Sequence, residues 1–60
     1  MIPFTLIFKV DGETRREKIR HYVVPQVGES VLPPGLDTEM TVLKVEHDLR
    51  TANEIWVVLN

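Results

Sequence analysis

Four apolar residues at even positions, Phe4, Leu6, Phe8 and Val10, alternate with Thr5, Ile7 and Lys9, and the run stops at Asp11-Gly12. A repeat of two gathers alternate side chains on one face of an extended strand, whereas a helix would scatter them around its axis. Asp11-Gly12 suits the left-handed backbone of a tight hairpin. The rest of the chain reads the same way. A second strand over 14–24 ends at Pro25, and a short one at 31–32 precedes Pro33-Pro34-Gly35, which neither a helix nor a central strand tolerates. Strands over 40–47 and Glu54–Leu59 follow, joined by a polar loop at 48–53. The one helical competitor, Glu13–His21, has Ile19 as its sole apolar residue and so no face to bury. Five short strands with turn signals between them predict a small all-β barrel or sandwich, one domain over 1–60.

Register assigns the faces. A two- or four-residue loop at Asp11-Gly12 sets odd positions of the second strand beside even positions of the first. Ile19, His21 and Val23 then join Phe4, Leu6 and Phe8 on the core face. Arg16, Lys18, Arg20 and Tyr22 gather on the other face beside Thr5 and Ile7. A three-residue loop would turn the basic side chains into the core, at a high desolvation cost. At the other end, Leu43 and Val45 are expected on one face with Ile55, Val57 and Leu59, leaving Trp56 and Val58 outward near Lys44 and Glu46.

Sixty residues without cysteine restrict what such a fold can be. A chain of this length buries only about 60% of its unfolded surface, and it has neither a disulfide nor a thiolate zinc site to add stability. With 43% hydrophobic and 27% charged residues, it has the balance of a soluble globular domain. The start, 1–8, lacks a basic leader and a small-residue cleavage site, and 55–59 is too short to span a bilayer. A reduced, cytoplasmic setting is the expectation. The last strand runs nearly to the chain end and is expected to leave an open edge, which favours a dimer or larger assembly.

Two surface features point to binding. The run 15–21 holds Arg15, Arg16, Lys18 and Arg20, four of the seven basic residues. A strand showing Arg16, Lys18, Arg20 and Tyr22 on one face has the charges to follow phosphates and a ring to stack on a base. The competing account is a solvated face whose like charges prevent edge pairing. The formal charge of −2, divided as +1 over 1–30 and −3 over 31–60, gives nucleic acid little long-range attraction. The second feature is Trp56 with Val58 on the same outward face and Lys44 nearby, a pattern that anchors protein interfaces. Its competing account is a curled sheet that encloses Trp56 in a second small core.

Catalysis lacks its parts. His21 and His47 have no metal-ligand spacing and fall at inward parity, which suits core or rim histidines with satisfied hydrogen bonds. Adjacent Glu46, His47 and Asp48 alternate between faces. Ser30, the single serine, is not in a nucleophile elbow, and Gly12, Gly28 and Gly35 are too scattered to cradle a phosphate. No cofactor, metal or catalytic residue is expected.

The segments 24–31 (VPQVGESV), 42–47 (VLKVEH) and 55–59 (IWVVL) resemble the V-P-x-V-G-E-x-V pattern of small uncharacterised bacterial and phage proteins that look like SH3-like β-barrels. The resemblance implies a five-stranded antiparallel SH3-like barrel, in which Gly28 supplies a backbone conformation that side chains resist. It also implies a bacterial, phage or prophage origin, and binding of peptides, nucleic acid or protein subunits. The leading expectation is therefore a non-enzymatic module that binds a protein partner or itself through Trp56, Val58, Lys44 and the 48–53 loop. Nucleic-acid binding through Arg16, Lys18, Arg20 and Tyr22 is the alternative. A third reading is an inhibitor of a host factor that uses Asp37, Glu39, Glu46, Asp48 and Glu54 as a charge decoy.

Overall fold

The computed structural model describes residues 1–50 and 53–60. Five strands form one sheet: β1 (Ile2–Val10), β2 (Glu13–His21), β3 (Ser30–Val31), β4 (Met40–Asp48) and β5 (Glu54–Leu59). Their order across the sheet is β2-β1-β5-β4-β3. The sheet curls into a half-barrel and does not close between β2 and β3. No helix occurs among the described residues, hence none long and apolar enough to cross a membrane.

The β1–β2 hairpin has the shorter of the two expected loops. Asp11 and Gly12 both take positive φ, 52° and 82°, as a two-residue type I′ turn requires. Phe4 pairs with Ile19, Leu6 with Glu17, Thr5 with Lys18 and Ile7 with Arg16. Odd positions of β2 thus stand beside even positions of β1. Beyond His21 the strand breaks off, earlier than the sequence suggests. Val23 is consequently exposed, and it is Val24 that packs against the core.

Mixed pairing corrects the antiparallel expectation. β5 lies parallel to β1, with Leu6 opposite Val57 and Ile7 opposite Val58. Parallel neighbours need a long crossover; residues 22–29 carry the chain from β2 to β3 at the opposite edge of the sheet, and 32–39 lead on to β4. β3, β4 and β5 then return antiparallel, and β5 ends beside β1. The last strand is therefore interior. The open edges are those of β2 and β3.

Phe4, Leu6, Phe8, Val42, Val57 and Leu59 form the buried core on one face, and Val24, Val31 and Leu36 from the crossover region pack over it. Pro33 is buried as well. Two turns shape this cover. Glu29 N–H donates to the Gln26 carbonyl at 3.0 Å, with Gly28 at φ 92°, the conformation expected there. Leu36 N–H donates to the Pro33 carbonyl at 3.1 Å, so the Pro-Pro-Gly sequence folds into a compact reversal. Gly28 N–H to Val42 C=O (3.0 Å) and Val42 N–H to Glu29 C=O (2.9 Å) tie the cover to β4.

In β4, too, an expected inward residue is outside. The β4–β5 pairing slips between Val42, opposite Leu59, and Lys44, opposite Val58. The extra residue of this bulge is Leu43, which is 54% exposed, while Val42 takes the core position. Beyond the slip, Val45 opposes Val57 and regains the expected face. Val42→Ala should therefore cost about 1.5–3 kcal/mol in urea unfolding. Leu43→Thr should stay within about 0.5 kcal/mol, as an outward residue does.

Candidate functional site

The outer face of the sheet brings together the two surface features that the sequence presents separately. Because β5 lies against β1, Trp56 stands opposite Thr5, and Thr5 stands opposite Lys18 on β2. On its other side Trp56 faces Glu46 of β4. One row across four strands is therefore Lys18, Thr5, Trp56, Glu46. The next row is Arg16, Ile7, Val58, Lys44. Arg20 continues the basic column opposite Pro3, and Asp48 opposes Glu54 at the same end.

Trp56 is half-buried, between the two orientations considered for it. Thr5, Ile7, Arg16, Lys18, Glu54 and Trp56 line a shallow groove of about 190 Å³. The indole Nε1 donates to Glu54 Oε2 at 2.8 Å, which fixes the ring and satisfies its polar edge. Ile7 and Val58 extend the apolar strip, and both are half-buried. Lys44 lies at the rim with its Nζ 3.9 Å from Glu46 Oε1, a solvated surface pair. Arg16, Lys18 and Arg20 are exposed and form no salt bridge among the described residues. The face is thus graded: basic along β2, apolar along β1 and β5, and richer in carboxylates toward β4.

Tyr22 does not join this face. It follows the end of β2, is 79% exposed, and meets the His21 ring edge-on at 6.0 Å. Both histidines are exposed rather than inward. His21 has the parity of Ile19, but it lies at the end of an edge strand, where the core no longer reaches. Its Nδ1 sits 3.2 Å from the Val23 carbonyl oxygen and 3.3 Å from the Val23 amide nitrogen, and its tautomer selects between these bonds. His47 opposes Ile55 near the end of β4. Among the described residues, no group of three or more His, Asp or Glu side chains gathers to hold a metal ion.

The acidic residues of the second half are dispersed. Asp37 and Glu39 precede β4, whereas Glu46 and Asp48 lie at its far end. Asp48 is engaged locally: its Oδ1 accepts from Arg50 N–H at 3.0 Å and Nε at 3.2 Å, and its Oδ2 accepts from Nη2 at 3.2 Å. Of the 48–53 loop expected to contribute to binding, residues 51 and 52 lie outside the described residues. A larger cleft of about 460 Å³ lies between Pro3, Arg20 and Asn53. Its lining mixes core-face and outer-face residues, so it marks the end of the sheet rather than an organised site.

The side-chain hydrogen bond from Arg50, reinforced by the Arg50 backbone N–H, holds the Asp48 carboxyl below its ordinary value of 3.8. A carboxyl depressed on folding contributes stability that is complete above its unfolded pKa and fades as pH falls through the folded value. Carbon-13 NMR titration should show Asp48 titrating below an ordinary aspartate, and Arg50→Ala should raise its midpoint toward that value.

Compared with known proteins, the chain matches no family model, no curated protein and no solved structure.

Proposed function

We propose that the protein is a non-enzymatic interaction module that associates with a second copy of itself through the outer face centred on Trp56. The observation that carries this reading is the charge gradient across the Trp56 row. A two-fold axis parallel to the strands, between β1 and β5, sets β2 of one copy over β4 of the other. Lys18 then meets Glu46, Ile7 meets Val58, and Trp56 packs over Thr5. A two-fold axis across the strands would instead place the basic strand over itself. Isologous contacts need such self-complementarity, and a fixed aromatic side chain between apolar neighbours is a common anchor. Arg16 falls opposite Lys44, a like-charge meeting that the adjacent Glu46 offsets.

Several features weigh against nucleic acid at this site. Glu46 opposes Trp56, and Glu54 holds its indole nitrogen, so two carboxylates stand where a base and its phosphate would lie. Tyr22 is displaced from the basic column. The charge-decoy reading loses support from the dispersal of Asp37 and Glu39 away from Glu46, Asp48 and Glu54. Kinship with small bacterial and phage barrels, and a cytoplasmic setting, belong to the same proposal.

Sedimentation velocity tests it. Wild-type protein should dimerise reversibly with a Kd on the order of micromolar, and Trp56→Ala should weaken association at least about tenfold with the fold retained by circular dichroism. Lys18→Glu and Glu46→Lys should each weaken the dimer, and their combination should recover it. A monomer at high micromolar concentration would overturn the reading. So would salt-sensitive binding of a short single-stranded oligonucleotide that Trp56→Ala abolishes.

A further inference from the structure

The β1–β2 turn determines which backbone groups of β2 have partners. Across a two-residue turn, Val10 and Glu13 form a hydrogen-bonded pair, and bonded pairs recur at every second position. Phe8 with Arg15, Leu6 with Glu17, Phe4 with Ile19 and Ile2 with His21 are the next in register. Thr14, Arg16, Lys18 and Arg20 therefore direct their N–H and C=O groups away from β1. Among the described residues, no backbone hydrogen bond from the turns and loops reaches them.

This open edge is unusually accessible. β2 is nine residues long, contains no proline, and runs against β1 without a bulge, whereas the opposite edge strand, β3, has two residues. Short length, proline and bulges are the common protections of an edge, and β2 has none of them. What remains is charge, and charge is selective. Two β2 edges brought together would place Arg16, Lys18 and Arg20 of both chains side by side, so a second copy is disfavoured at this edge. A strand bearing carboxylates meets the opposite condition.

We propose that the outer edge of β2 receives an extended acidic segment of a partner protein as an added strand. The ladder specifies its pattern. In an antiparallel addition, residues bonded to Arg16, Lys18 and Arg20 share their face, so acidic side chains belong at every second position of the segment. The intervening residues lie on the core side beside Arg15, Glu17 and half-buried Ile19, and an apolar side chain is matched beside Ile19. Main-chain bonds supply attachment, and the alternating side chains supply selectivity. The inference does not depend on what covers the Trp56 face.

A capped peptide alternating glutamate and valine is the probe, with amide hydrogen exchange followed by NMR. Saturating peptide should slow exchange at Arg16, Lys18 and Arg20 by at least about tenfold, and leave Arg15, Glu17 and Ile19, which are already bonded to β1, little changed. N-methylation of the glutamate amides should abolish this protection, and a lysine-for-glutamate peptide should not bind. The double variant R16E/K18E, with its fold checked by circular dichroism, should reverse the preference between the two peptides. Equal binding of the N-methylated peptide, or absence of protection at Arg16, Lys18 and Arg20, would overturn the proposal. The same protection produced by a single-stranded oligonucleotide would overturn it too.

Discussion

The contact between β1 and β5 organises the molecule. Leu6 and Val57 sit opposite one another in the parallel pair, and both are buried, Val57 completely. Phe4 and Phe8 flank Leu6 along β1, and Leu59 follows Val57 along β5, so the two central strands supply five of the six buried core side chains. The sixth, Val42, is brought in by the bulge in β4. Everything else is attached to this pair. The β2 hairpin extends it on one side and β4 on the other, while Val24, Val31 and Leu36 cover its inner face. For a chain of 60 residues, concentrating the apolar surface in two adjacent strands achieves burial without closing a barrel.

The same pairing creates the candidate site. The outer side of β1 and β5 includes Thr5, Ile7, Trp56 and Val58, and among the described residues no second layer lies over them. Had β5 been an edge strand, Trp56 would have lain at the margin, distant from Arg16 and Lys18. As an interior strand, β5 places the indole within the same groove as both cations. The site is thus a consequence of topology. The crossover that makes the core also determines which strand's charges border the aromatic residue.

Much of this was legible in the sequence, and the exceptions have physical reasons. Alternation in β1 and the Asp11-Gly12 turn dictate the hairpin register, because a shift by one would have buried Arg16 and Lys18. Alternation says nothing about which strands become neighbours, so the parallel pair went unforeseen. A signal for it exists nevertheless. The segments 2–10 and 54–59 are apolar at most positions, as interior strands are, whereas 13–21 has a single apolar residue, as befits an edge. Leu43 falls on the opposite face from its parity because a bulge shifts parity by one without changing composition. His21 and Val23 are exposed despite their inward parity, because parity is meaningful only while the strand continues and the core extends beneath it.

The two proposed binding modes draw on different properties of one strand. Along β2, the side chains of Arg16, Lys18 and Arg20 project over the outer face, while the backbone groups of the same residues point sideways from the sheet. A partner on the face is recognised by side chains alone, with Trp56 as the apolar anchor. A partner at the edge is recognised first by the ladder and then by charge. This distinction follows from hairpin geometry, since a two-residue turn makes the outward-facing side chains and the unpaired backbone groups belong to the same alternate residues. A register shifted by one would have moved both properties to the other row, turning Arg16, Lys18 and Arg20 into the core face and bonding their backbone groups to β1. Like charge along β2 therefore has a double effect: it discourages pairing between copies at their edges, and it leaves those edges available to a segment of opposite charge.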